Sequence, residues 1–141
     1  MTPSLEQVKY IVEKMIPLHK FLGVEVLEIE KGYVKMRIPF REEVLGNFVH
    51  RHWHGGMLSA MLDSAGGMVA GSCYPDVFDR ISTIDIRVDY LRPAKDTAII
   101  AEGKALRIGS RTVVTTMQIR QEGGEEVLAE GRGVFHIGQK K

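Results

Sequence analysis

The stretch "HRHWHGGMLSAMLDSAGGMVAGS", His50 to Ser72, decides how this chain reads. Three alternating histidines lead into Gly55-Gly56, and from there to Ser72 most side chains are apolar or small. One carboxylate, Asp63, stands in the middle. A lone charge in a buried segment is costly unless it is paired or put to use. The length of the run and Pro75 just beyond it predict a helix over about 55–74. At about 100° per residue, Met57, Leu58, Met61, Leu62, Ala65, Met68 and Val69 share one broad arc. Gly56, Ser59, Ala60, Asp63, Gly66, Gly67 and Ala70 share the other. The bulky arc is expected to pack on the protein's own sheet, and the small arc to let a backbone or a narrow ligand come close.

His54-Gly55-Gly56 falls where this helix begins, so its first backbone N–H groups have no intrahelical acceptor and carry the positive end of the dipole. Such a terminus can hold an anion or the oxyanion of an attacked carbonyl. Asp63 lies roughly two turns along, about 10 Å away, too far to share one reacting atom with the terminus of its own chain. A second subunit packed through the small arc would bring the two together.

On the N-terminal side, Ser4 and Gln7 form a capping-box pattern. Val8, Ile11, Val12, Met15 and Ile16 follow helical spacing, which predicts a helix over about 4–17 stopped by Pro17 and Gly23. "VEVLEIE" and "YVKMRIPF" read as a hairpin through Lys31-Gly32, and "REEVLGNFVHRHW" as a loop. Beyond Pro75 lie four strand-like segments, "TIDIRVDYL", "TAIIAEGKALRI", "TVVTTMQIRQ" and "EVLAEGRGVFHI", with short breaks that predict antiparallel neighbours in chain order. In the first of them, alternation sets Ile84, Ile86, Val88 and Tyr90 on one face and Asp85, Arg87 and Asp89 on the other. Helix, two strands, long helix and four strands define an α+β pattern with one antiparallel sheet, and residues 1–141 read as a single domain.

Composition excludes several classes. The chain has 141 residues and a formal net charge of +1 from 19 basic and 18 acidic side chains, which gives no electrostatic case for nucleic acid or an anionic membrane surface. Cys73 is the only cysteine; no disulfide framework is possible, and a cytoplasmic location is the expectation. His50, His52 and His54 would fall on one side of an extended segment, so a three-histidine zinc site is conceivable. Neither HExxH nor CxxC accompanies them, and the reading without metal is preferred.

Helix, hairpin, His-Gly-Gly, an acidic residue nine positions after the histidine, and then "TIDIRVDYLRPAK" with further strands resembles the hotdog-fold acyl-CoA thioesterases. The match spans about residues 20–137, and the branch it most resembles is the PaaI-like group of the 4-hydroxybenzoyl-CoA thioesterase superfamily. The resemblance implies a curved antiparallel sheet wrapped around the long helix and a homodimer or homotetramer with sites at the dimer interface. It further implies that Asp63 is general base or nucleophile, that the Gly55 N–H polarises the thioester carbonyl, and that His54 orients that loop. Asn47 would position water or substrate, and Thr83 would supply an assisting hydroxyl. Gly56, Ser110 and Arg111 would contact substrate, the last two through the coenzyme A phosphates. No cofactor is expected beyond the coenzyme A of the substrate. The principal alternative is a non-catalytic acyl-CoA-binding module on the same fold. A hotdog dehydratase would need a His plus Glu arrangement that this chain lacks.

Overall fold

A computed structural model of the chain describes residues 2–139. The N-terminal segment begins as expected, with Ser4 and Gln7 closing a reciprocal capping box on α1, Leu5–Tyr10. The single helix expected over 4–17 is not what forms. A π-helical turn, Ile11–Met15, follows α1, Ile16 swings to extended backbone (φ −80°, ψ 113°), and α2 restarts at Pro17–Leu22. Proline has no N–H and crowds the residue before it out of the helical region, yet suits the first position of a new helix. Pro17 therefore opens α2 rather than closing α1. The wider turn also spoils the expected apolar stripe: Val8 and Val12 are buried, but Met15 is 62% exposed. Gly23, in left-handed backbone at φ 74°, ends α2.

The hairpin forms as β1, Glu25–Glu30, and β2, Tyr33–Ile38. The stretch expected to be loop contains a small ribbon, β3, Leu45–Asn47, paired with β4, His52–Trp53. Trp53 anchors it: its indole is buried edge-on against Phe40 and donates to the Thr97 carbonyl at 3.0 Å. The long helix α3 then runs Gly55–Cys73. It is followed by β5, Ile81–Tyr90, β6, Ile99–Ile108, β7, Thr112–Gln121, and β8, Val127–Ile137.

All six long strands form one antiparallel sheet in the order β1-β2-β6-β7-β8-β5. Strand order corrects the expectation of neighbours in chain order. β6, β7 and β8 do follow one another, but β5 pairs with β8 rather than β6 and forms a sheet edge. The residues between Tyr90 and Ile99 make this possible. They pass β8 and β7 to reach β6 in the middle of the sheet, and Leu91 and Arg92 donate to the Leu128 carbonyl on the way.

The central helix packs against β2, β5, β6, β7 and β8, so the sheet surrounds it on its bulky side, which is the hotdog architecture. Leu58, Met61, Leu62, Ala65, Met68 and Val69 are buried there with Val34, Met36, Ile99 and Met117. The small arc is partly used within the chain itself. A Cβ on Gly66 would stand 2.6 Å from the Phe135 ring of β8, so glycine there seats an aromatic side chain of the same chain rather than a partner's backbone.

Candidate active site

The N-terminus of α3 is fixed from two sides. The His54 N–H donates to the Val44 carbonyl at 2.7 Å, and its Nδ1 accepts from the Gly56 N–H at 2.9 Å as helix cap. The Gly56 N–H is thereby committed to His54. The Gly55 N–H has no acceptor among the described residues and is left as the free donor of the pair. The Tyr90 hydroxyl donates to the Gly55 carbonyl at 3.0 Å and is hydrogen-bonded to Ser59 Oγ. A surface cavity of about 420 Å³ opens here between Gly55, Asn47, Trp53, Leu58 and Tyr90. Asn47 shapes its rim, because its Oδ1 accepts from the His50 N–H at 3.0 Å and closes the β3–β4 turn.

Asp63 lies elsewhere, on a cavity of about 360 Å³ whose wall is largely apolar, with Val12 and Ile16 from the N-terminal segment, Met68 from α3, and Phe78 and Phe135. Thr83 Oγ1 donates to Asp63 Oδ1 at 2.7 Å. That contact depends on a β-bulge. Thr83 is opposite Phe135 and Asp85 is opposite Val134, so Ile84 is the extra residue between them. The bulge reverses the alternation at this point. Ile86 and Val88 face the core as expected, Ile84 is pushed out and is 57% exposed, and Thr83 turns inward to α3. The face assigned to Ile84 from simple alternation is therefore corrected.

Two residues without a distinguishing pattern in the sequence complete this wall. His19 on α2 is buried; its Nδ1–H donates to the Val12 carbonyl at 3.1 Å, which leaves Nε2 to accept from Ser64 Oγ at 2.8 Å. Burial holds the His19 pKa below the ordinary histidine value, the Val12 hydrogen bond opposing in part. Ser64 could have been noticed as the neighbour of Asp63, but nothing in the sequence links it to a histidine so distant along the chain.

Strand β5 connects the two cavities, with Thr83 near its start at the Asp63 cavity and Tyr90 at its end beside Gly55. Within one chain Asp63 and Gly55 do not meet. Ser110 and Arg111 are exposed in the β6–β7 turn and line neither cavity. The register Thr112–His136–Ser82 sets that turn at the end of the sheet where β5 begins. The histidines of the opening stretch do not converge. His50 and His52 stack with ring centroids 6.0 Å apart, while His54 faces its cap. Among the described residues no group of three His, Cys, Asp or Glu side chains is arranged to hold a metal.

A six-stranded antiparallel sheet surrounding a long helix, which here carries a cap histidine, a free N-terminal donor and a threonine-held carboxylate, defines a hotdog protein. The chain belongs to the thioesterase superfamily, whose family model matches residues 50–128, from the first of the three histidines through most of the sheet. It is similar to the medium/long-chain acyl-CoA thioesterase YigI of Escherichia coli, 29% identical over 151 aligned residues that cover 96% of this chain and 97% of that one. Among solved structures, a protein of Shewanella oneidensis related to the thioesterase superfamily superposes with a TM-score of 0.87 at 28% identity, covering 95% of each chain. Zebrafish thioesterase superfamily member 2, at 24% identity and a TM-score of 0.82 over 96% of this chain and 99% of that one, shares the fold.

Proposed function

We propose that this protein hydrolyses an acyl-CoA thioester to the free acid and coenzyme A, and that it stands in the PaaI-like branch of its superfamily. The observation that carries this reading is the Asp63 carboxylate, held by Thr83 at the wall of an apolar cavity large enough for an acyl chain. The name of the Escherichia coli relative supports medium or long acyl groups. Each site would take Asp63 from one subunit and Gly55 from the other. The exposed edge of β5 favours such a pairing, because two copies running antiparallel would set the Thr83 end of one against the Tyr90 end of its partner.

In this site the thioester carbonyl accepts from the Gly55 N–H, and the acyl chain enters the Asp63 cavity. As general base, Asp63 takes a proton from water, the hydroxide adds to the carbonyl carbon, and the oxyanion is held at the helix terminus. Collapse expels the thiolate of coenzyme A, a good leaving group. As nucleophile, Asp63 would itself add, expel the thiolate and leave a mixed anhydride for water to open. Neither route calls on a metal or a bound cofactor. His54 orients the donor loop, and Asn47 directs water or substrate from the rim of the Gly55 cavity. Ser110 and Arg111 are proposed to meet the coenzyme A phosphates. The lone Cys73 accords with a cytoplasmic setting, and no helix among the described residues is long and apolar enough to cross a membrane.

Free-thiol release from a panel of acetyl- to palmitoyl-CoA tests the reading. Steady turnover with a preference for the longer acyl groups is expected. Tight binding without thiol release would instead identify an acyl-CoA-binding module.

A further inference from the structure

Asp63 and Thr83 account for one side of the acyl cavity, whereas the Ser64–His19 pair on the other side has no part in the proposed chemistry. Ser64 follows Asp63 by one residue, about 100° around the helix, so it turns away from the carboxylate and towards the N-terminal segment. There His19 is 5% exposed, with both ring nitrogens engaged. Among the described residues this is the only hydrogen bond between the segment Leu5–Leu22 and the central helix. The segment is broken at Ile16–Pro17, and residues on both sides of the break, Val12, Ile16 and Leu18, line the cavity.

We infer that the Ser64–His19 hydrogen bond clasps the N-terminal segment onto the central helix and thereby makes His19 and Ser64 the residues that set how long an acyl chain the cavity holds. The inference rests on the acyl-CoA reading given above. Three observations support it. The bond joins a segment with a built-in break to the rigid helix that carries Asp63. His19 is oriented by a backbone carbonyl of the same segment, so the donor and acceptor roles of the pair are fixed. The walls that the clasp draws together are apolar, which suits a methylene chain rather than a polar group. Without the clasp the segment keeps Val8, Val12 and Leu22 in the core, and its remaining polar ties are Glu13 Oε2, which accepts from the Val26 N–H at 2.6 Å, and the Phe21 carbonyl, which accepts from Arg41; neither leads to α3. Loosening the wall removes the contacts that Val12, Ile16 and Leu18 offer a methylene chain and leaves the polar groups that face the thioester in place. A long chain therefore loses affinity where a short one does not.

The test uses thioether analogues, which bind without being hydrolysed. Titration calorimetry with S-decyl-CoA and S-ethyl-CoA compares the full-length wild type with Ser64→Ala, His19→Ala and Ser64→Thr, with melting temperatures to establish that each is folded. The expected result is that Ser64→Ala and His19→Ala bind S-decyl-CoA about five- to tenfold more weakly, with less than a twofold change for S-ethyl-CoA. Ser64→Thr, which keeps the hydroxyl, restores S-decyl-CoA binding. Equal losses for both thioethers, or no loss for either, overturn the clasp. An acyl group found on Ser64 by mass spectrometry of enzyme quenched during turnover also overturns it, because Ser64 would then be a nucleophile. A wild type that binds S-decyl-CoA but releases no thiol from any acyl-CoA overturns the hydrolase reading alone, since thioether binding does not depend on turnover.

Discussion

Thr83 Oγ1 donates a 2.7 Å hydrogen bond to Asp63 Oδ1, joining the edge strand β5 to the central helix at the wall of the apolar cavity. A hydroxyl donor at that distance fixes one carboxylate oxygen and leaves the other free to take a proton or to attack. Removing only the hydroxyl, in Thr83→Val, is expected to lower kcat about tenfold while KM changes little, and Thr83→Ser is expected to retain most activity. Steady-state kinetics on one acyl-CoA checks both. Equal activity of Thr83→Val and wild type would remove Thr83 from the site.

Asp63→Asn keeps the size of the side chain and most of its hydrogen bonding but removes the negative charge and the basicity. The expected outcome is a fall in kcat of about 10²–10⁴-fold, with little change in substrate Kd or Tm. A structural carboxylate would behave in the opposite way, with lower Tm, weaker binding and near-normal turnover per folded molecule. Turnover, Kd and Tm measured on the one variant decide between them.

Gly55 offers an unusually clean deletion of a backbone donor. It is the first residue of α3, where proline is well tolerated, and His54 before it is already extended at ψ 129°. Gly55→Pro therefore removes the free N–H with little disturbance of the helix, and a loss of about 10²–10³ in kcat is expected. Mixing Gly55→Pro with Asp63→Ala under conditions of subunit exchange then tests whether sites are shared. Half of the dimers become hybrids with one intact site of two, so about a quarter of wild-type activity is expected to return. No return despite proven exchange would show that each site belongs to a single chain.

Burial lowers the pKa of His19 in the folded protein below the value of 6.5 that an unburied histidine has. The unfolded chain therefore takes up this proton more readily than the native one, and the difference favours unfolding as pH falls. His19 contributes its full share of stability above about pH 6.5 and loses it progressively below. The hydrogen bond to the Val12 carbonyl opposes the depression in part without reversing it. Tm measured from pH 8 to pH 5 is expected to fall less steeply for His19→Gln than for the wild type. Parallel curves would remove His19 from the acid sensitivity.

Two adjacent glycines separate packing from helix propensity. A Cβ on Gly66 would lie 2.6 Å from the Phe135 ring, whereas one on Gly67 meets the same ring at an ordinary 3.6 Å. Gly66→Ala is expected to destabilise by about 1–3 kcal/mol through overpacking. Gly67→Ala is expected to be neutral or to stabilise by up to about 1 kcal/mol, because alanine is the better helix former. Thermal or denaturant unfolding of the two variants checks the contrast.

The elements whose cause is local were legible in the sequence. The bulky arc of α3, the capping box at Ser4, the turn at Lys31-Gly32 and each strand after Pro75 rest on spacing or on a residue's own backbone preference. So does the helix start at His54, since a cap and the donors it leaves free need only their immediate neighbours. Tertiary structure alone decided what lies between elements. Periodicity says that a strand exists but not which strand it pairs with, and so β5 went to the sheet edge beside β8 although β6 follows it in the chain. A bulge leaves no mark in a period-two pattern until the partner strand fixes the register. Alternation alone puts Thr83 on the face of Asp85 and Arg87, yet pairing with Phe135 of β8 turns it to Asp63. The break at Ile16 could be anticipated from Pro17, but not the docking of His19 on Ser64, because loop closure over such a separation is driven by the collapse of the whole core rather than by either residue.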